Sequence, residues 1–323
     1  IMKTTVVNNF KRLHSITVAR RFNSGFKKVG VVGLGLMGHG VAQVTAAAGF
    51  NVLVIETQES ALNIGMKRIE DSLNKVVAKG VKKGKILETD RQREFDRVYS
   101  RIETTTKLED AHDCDLIIEA IIEQEPIKID FYKKLGGIAN PDCIFASNTS
   151  SLPITNMAVA SGRPELFVGL HFFNPVQIMK LLEVISTTHT IPAVADRVTK
   201  FGKEIGKTTV QCGDTPGFIV NRLLIPFLSQ SMAMVDRGDA SITDIDISMQ
   251  LGTGHPMGPL MLADYVGLDT TYNILTGWKQ AHPNDPAFFV PKCLEAMVKR
   301  GELGRKTGKG FYVWDGDKVV HPA

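Results

Sequence analysis

The chain has 323 residues, 43% hydrophobic and 22% charged, which excludes a disordered polymer and leaves room for two domains with separate cores. Lys and Arg number 38 against 34 Asp and Glu, but positions 1–28 hold seven of the basic residues and no acid. The remaining 31 basic side chains face 34 acidic ones, so the body is not a basic nucleic-acid-binding surface.

Four scattered cysteines (Cys114, Cys143, Cys212, Cys293) with no C-x-x-C pair exclude a zinc framework or a disulfide scaffold, and no metal site is expected. The first 25 or so residues mix Arg, Lys, Ser, Thr and Asn with spaced apolar positions. That composition fits a mitochondrial transit peptide, removed near Arg21–Ser24; the alternative is a frayed basic tail. Residues 29–55 carry no formal charge, yet six glycines, His39, Gln43 and Asn51 interrupt them. A buried strand–helix–strand unit explains this stretch better than a bilayer span.

Order is expected from Lys27. Residues 28–32 read as a buried strand, 36–48 as a helix ended by Gly49, and 52–56 as a second strand. An amphipathic helix follows over 60–79, with Leu62, Met66, Ile69, Leu73, Val76 and Val77 inward. Apolar runs at 116–119, 143–147 and 167–172 alternate with helical or loop-like segments, which predicts a mostly parallel α/β sheet. Beyond Thr215-Pro216-Gly217 the pattern turns helical, at 218–236 and 258–280, and the only strand expected there is 311–314. The layout is a leader over 1–25, a Rossmann-like domain over 26–214 and a helical domain over 215–323.

Gly33-Leu34-Gly35-Leu36-Met37-Gly38 follows the first strand directly and opens the first helix. Gly33 permits a tight turn, Gly35 lets the backbone approach a pyrophosphate, and Gly38 allows close helix–strand packing. The orphan N–H groups at the helix start favour a diphosphate. Glu56, 23 residues after Gly33, ends the second strand, where a carboxylate accepts ribose hydroxyls and repels a 2′-phosphate. Strand, turn, helix and acid together point to NAD, with the turn's Leu36 and Met37 among the contacts.

Ligands in an open parallel sheet sit beyond the carboxyl ends of the strands. Three runs end there in polar sequence: 120–123 with Glu123, 148–151 with Asn148-Thr149-Ser150-Ser151, and 171–175 with His171-Phe172-Phe173-Asn174-Pro175. After Pro175 comes another apolar run, Leu181-Leu182-Glu183-Val184-Ile185. If it returns antiparallel about Gln177, His171 and Glu183 face each other, roughly 4.5–5.5 Å apart at Cβ. A glutamate within an apolar strand needs a partner. The pair reads either as a structural ion pair or as an acid–base dyad whose carboxylate fixes the imidazole tautomer. Lys75, Lys79 and Lys82 share a helix face, which is either a solvated surface or a seat for a second polyphosphate ligand.

Together VGLGLMGHGVAQVTA, IIEAIIE, FASNTSSLPIT, GLHFFNPV, KLLEVI and DTPGFIVNRLL resemble the L-3-hydroxyacyl-CoA dehydrogenases, in their short, single-function mitochondrial form, from about Lys27 to Trp314. The resemblance implies an NAD-dependent oxidation of 3-hydroxyacyl-CoA to 3-ketoacyl-CoA in the mitochondrial matrix. It also implies a homodimer through the helical domain, with no membrane span. By that resemblance His171 is the catalytic base, oriented by Glu183, while Ser150 and Asn221 bind and position the reacting oxygen. Ser150 and Asn174 line the nicotinamide side, and Glu123, Lys128 and Lys306 are further cofactor contacts. Ser72 and Lys79, together with Ser150, match the positions that touch coenzyme A. Two departures stand out: Glu56 where Asp is common, and a short insertion in the 80–95 region. The nearest rival is a β-hydroxyacid dehydrogenase of the 3-hydroxyisobutyrate type, which uses a lysine and lacks HFFNP. A structural relative such as λ-crystallin is a rival of another class.

Overall fold

The computed structural model describes residues 24–323. Most of the expected leader lies outside the described residues. Its end is firmly held: the Ser24 backbone N–H and hydroxyl donate to Glu204 (3.2 and 2.5 Å), and the Phe26 ring packs edge-on against Phe201. The fold therefore begins slightly before Lys27, because a buried aromatic anchors it.

Eight strands form the main sheet: β1 (Lys28–Val32), β2 (Asn51–Ile55), β3 (Ile102–Thr105), β4 (Leu116–Glu119), β5 (Ile144–Ser147), β6 (Phe167–Phe172), β7 (Leu181–Ser186) and β8 (Thr208–Gly213). Their order is β3-β2-β1-β4-β5-β6-β7-β8, parallel except that β7 runs antiparallel to β6. Between them lie α1 (Gly38–Ala48), α2 (Glu59–Lys82), α3 (Arg91–Tyr99), α4 (Glu125–Gly136), α5 (Ile154–Ala160) and α6 (Pro192–Glu204). Central strands bury both faces: Leu116 and Ile118 enter one core and Ile117 the other. That is why they read as continuous apolar runs. The order reverses at β1 and β4, which opens a crevice beyond their carboxyl ends.

The second domain has its own apolar cluster, built around Leu228, Leu260, Leu268 and Phe311. It comprises α7 (Val220–Arg237), α8 (Ile242–Thr253), α9 (Pro259–Val266), α10 (Leu268–Ala281), α11 (Lys292–Lys299) and an antiparallel hairpin of β9 (Tyr312–Asp315) and β10 (Lys318–Pro322).

Several expectations need correction. The run 258–280 is two helices, broken at Gly267, whose φ of 105° suits glycine. The helix expected over 60–79 extends to Lys82, and Val76 points outward, 54% exposed. A second strand, β10, joins the one expected at the C-terminus.

Candidate active site

At the crevice, Gly33 has φ 88°, and a Cβ there would lie 2.7 Å from the Ala120 carbonyl oxygen. A Cβ on Gly38 would collide with the Gly33 carbonyl, so the third glycine closes the turn on itself. Gly35 is different: a side chain there would meet nothing within 4 Å. Its open side is where a diphosphate can reach the backbone. Met37 precedes α1 without a side-chain cap, Leu36 is exposed, and no acid occupies the first turn. The helix start thus keeps its donors and its positive dipole end.

Glu56 borders a pocket of about 570 Å³ with Gly33, Gly35 and Ile122. Its carboxylate accepts from the N–H of Leu34 (3.0 Å) and of Gln58 (3.3 Å). Each oxygen keeps a lone pair for a further donor, so the backbone aims the carboxylate without exhausting it. Turn, helix start and acid-lined pocket fit NAD.

On the far side of β5 the register pairs His171 with Glu183. The two side chains meet, Nδ1 to Oε2, at 2.6 Å. Glu183 is fully buried, and its other oxygen accepts from the N–H groups of Ile219 (3.1 Å) and Val220 (2.9 Å), where α7 begins. Burial pushes this carboxyl up. The hydrogen bond from His171, the Val220 N–H, the His171 charge and the Ile219 N–H outweigh it, and the group sits below its ordinary value. A carboxylate only accepts, so Nδ1 carries the proton and Nε2 is left with a lone pair. Phe173 and Phe218 flank the ring, with centroids 4.4 and 5.7 Å away. Phe218 is the one non-glycine at positive φ (56°) among the described residues, which costs about 1–2 kcal/mol. Its side chain is buried in the apolar core beside the dyad.

The other expected residues divide into those gathered here and those set apart. The Asn221 amide donates to the Ser150 carbonyl (3.1 Å), and the Ser150 N–H and hydroxyl donate to Glu123 (2.8 and 3.3 Å). These three form one cluster bridging β4, β5 and α7. Asn174 is exposed on the turn after β6. Lys128 is not a free contact: it is 1% exposed and spends its charge on Glu119 (2.5 Å) and Glu123 (3.2 Å). Lys306 lies in the second domain, paired with Asp269 at 2.5 Å. Ser72 is half-buried and Lys79 exposed on α2, apart from these contacts. Three contributors are not among the site residues expected from the sequence. The Ile219 and Val220 N–H groups were hidden because backbone donors have no residue signature, although PGFIVNR marks the crossing where they sit. Asn148, whose Oδ1 accepts the Phe172 N–H at 2.9 Å, ties the ends of β5 and β6.

The family model described as 3-hydroxyacyl-CoA dehydrogenase, NAD binding domain, matches residues 28–215, and that for the C-terminal domain matches 217–314. The chain belongs to the 3-hydroxyacyl-CoA dehydrogenase family. The human mitochondrial hydroxyacyl-coenzyme A dehydrogenase is 46% identical over 292 residues, covering 88% of this chain and 90% of that protein. A probable 3-hydroxybutyryl-CoA dehydrogenase of Deinococcus radiodurans is also 46% identical, covering 88% and 99%. The crystal structure of (S)-3-hydroxybutyryl-CoA dehydrogenase from Ralstonia eutropha superposes with a TM-score of 0.83 at 36% identity, covering 90% and 99%. The 3-hydroxyisobutyrate-type alternative gives way to this assignment. As a member of the 3-hydroxyacyl-CoA dehydrogenases the chain is an NAD-dependent oxidoreductase with a Rossmann domain and a helical C-terminal domain. Among the described residues no helix is long and apolar enough to cross a membrane.

Proposed function

We propose that the chain oxidises L-3-hydroxyacyl-CoA to 3-ketoacyl-CoA, with His171 and Glu183 as its acid–base dyad. The observation that carries this reading is the 2.6 Å contact between Nδ1 and Glu183, which leaves Nε2 as the free basic atom. The glycine turn and Glu56 would hold NAD⁺, which would supply the acceptor for the hydride of the hydroxyl-bearing carbon. His171 Nε2 takes the hydroxyl proton, and Glu183 holds the ring and balances the imidazolium charge. A positioned base of this kind contributes about 10²–10⁴-fold. The Ser150 hydroxyl and Asn221 amide hold the reacting oxygen. Their cluster with Glu123 supports this, since it brings both to one side of the crevice. In reverse, protonated His171 returns its proton to the ketone oxygen.

Gly33, Gly35, Leu36, Met37 and Gly38 cradle the diphosphate, and Glu56 takes the ribose. Glu123 and Asn174 line the nicotinamide side. Lys128 acts by holding Glu123, and Lys306 reaches the cofactor when it swings from Asp269. Ser72 and Lys79 on α2 receive coenzyme A. A homodimer through the second domain is supported by exposed apolar side chains there, among them Leu223 (69%) and Leu251 (84%). Placement in the mitochondrial matrix is supported by the basic leader and by the mitochondrial relatives.

The test is oxidation of NADH with acetoacetyl-CoA against free acetoacetate. Turnover is expected with the thioester alone. Preference for the free acid would overturn the reading.

A further inference from the structure

A second pocket, of about 730 Å³, opens beside Ser150 between the two domains. One wall is the loop after β5, with Leu152 and Pro153. The other is α10, which presents Ile274, Gly277 and Trp278 at helical spacing. Trp278 is fixed: its ring packs so closely over Gly217 in the domain crossing that a Cβ there would lie 2.4 Å from it, and it also packs against Phe288. The pocket therefore has a rigid floor and adjoins the residue expected to hold the reacting oxygen.

Its rim carries three carboxylates, but each is engaged within the protein. Asp214 accepts from the N–H groups of Ile154 (3.0 Å) and Thr155 (2.8 Å) and from the Thr155 hydroxyl (2.7 Å). Glu125 accepts from Asn156 (2.6 Å), and Glu123 is held by Thr149 (2.6 Å), Ser150 and Lys128. All three stay at least partly exposed at the rim, so an apolar ligand need not strip them of solvent. Among its other lining residues, Leu152, Pro153, Ile274 and Trp278 give a ligand apolar surface on both walls, while Thr270, Asn273 and His282 add polar groups along α10 and just past its end.

We propose that this pocket seats the substrate's acyl chain beyond the reacting carbon, and that α10 at Gly277 sets the length accepted. The inference rests on the hydroxyacyl-CoA reading above. Gly277 is the telling position. It stands inside a helix, where glycine is disfavoured, yet an added Cβ would meet nothing within 4 Å. Packing does not require a glycine there. Its absent side chain keeps volume open.

The experiment compares the full-length chain with Gly277→Leu and Thr270→Phe, which narrow the pocket from two points on α10. NADH oxidation is followed with acetoacetyl-CoA and with 3-ketodecanoyl-CoA, and NADH affinity is read by fluorescence titration. Each methylene kept out of the pocket costs about fourfold in kcat/KM. The long-chain to short-chain ratio is therefore expected to fall at least about tenfold in both variants, with NADH affinity held. An equal loss on the two thioesters, or weakened NADH binding, would overturn the proposal and give the pocket to the nicotinamide. Failure of the parent reading looks different: the unaltered chain itself would leave acetoacetyl-CoA unreduced. Gly277→Leu adds helix propensity, and circular dichroism of both variants verifies that each is folded.

Discussion

Two buried charge pairs lie under the same sheet edge, and they differ in what they leave unspent. Glu119 ends β4 with one oxygen on Lys128 (2.5 Å) and the Ile121 N–H (2.8 Å), and the other on Ser147 (2.7 Å) and Tyr132 (3.3 Å). Glu119 and Lys128 are 0% and 1% exposed, and every Glu119 oxygen is satisfied, with Lys128 reaching only Glu123 besides. Glu183 is just as buried and as fully bonded, but His171 brings two nitrogens and gives it only one. Among the described residues Nε2 finds no partner. The saturated pair can clamp β4, α4 and β5 together and, through Lys128, hold Glu123, but it has no atom left to exchange a proton. The unsaturated pair can exchange a proton. Burial and ionic contact are alike in the two, and spare bonding capacity separates scaffold from chemistry.

That contrast breaks first at His171. His171→Gln should cut turnover by about 10²–10⁴-fold while NADH affinity, measured by fluorescence titration, stays near normal. A loss under tenfold would place the base elsewhere. Lys128→Met attacks the closed pair. It strands Glu119 in the core and should cost about 3–5 kcal/mol of stability, seen as a lower denaturation midpoint. If stability held and only NADH affinity fell, Lys128 would touch the cofactor directly.

Glu183→Gln sharpens the comparison at lower amplitude. A glutamine can donate to Nδ1, which puts the proton on Nε2 and removes the base, so turnover should fall on the order of a hundredfold, the lower end of what a positioned base contributes. The pH dependence has a definite sign. Because the folded carboxyl lies below its ordinary value of 4.5, its stabilising contribution is present above that pH and disappears as pH falls through the lowered value. Stability of the unaltered chain should therefore converge with that of Glu183→Gln in acid, as chemical denaturation at a series of pH values would reveal.

How much of this was legible in the sequence follows from the same logic of pairing. The His171–Glu183 register could be read because two apolar strands flank a short turn and leave one charge to be matched. The edge strands β3 and β8 went unread. Ile102-Glu103-Thr104-Thr105 buries only Ile102, and no residue of Thr208–Gly213 is fully buried, so neither shows the apolar run of a central strand. β10 escaped for the same reason, since Lys318–Pro322 lies exposed along a hairpin. The break at Gly267 was hidden because apolar periodicity resumes on its far side. Within the candidate site the meeting of His171 and Glu183 was legible, but not the bonds made through backbone. The Asn221 amide donates to the backbone carbonyl of Ser150, and Glu183 is held by the N–H groups of Ile219 and Val220 at the start of α7.

The smallest effect belongs to Glu56, and it tests whether an aimed carboxylate resembles the open pair or the closed one. Both oxygens already take a backbone N–H, from Leu34 and Gln58, so part of the carboxylate's worth lies in shaping the glycine turn. Glu56→Gln keeps the shape and one acceptor but replaces the other with a donor, which meets the Leu34 or Gln58 N–H head-on or turns toward the ribose. A single charged hydrogen bond lost at such a site is worth about 1.5–3 kcal/mol at most, and solvent at the pocket mouth reduces it to about 1 kcal/mol. NADH should then bind about fivefold more weakly by titration, with turnover at saturating cofactor unchanged. NADPH should gain at the same time, because removal of the negative charge lifts the repulsion of a 2′-phosphate. Unchanged affinity for both would mean that Glu56 serves the turn alone and that the pocket beside it selects the cofactor by shape.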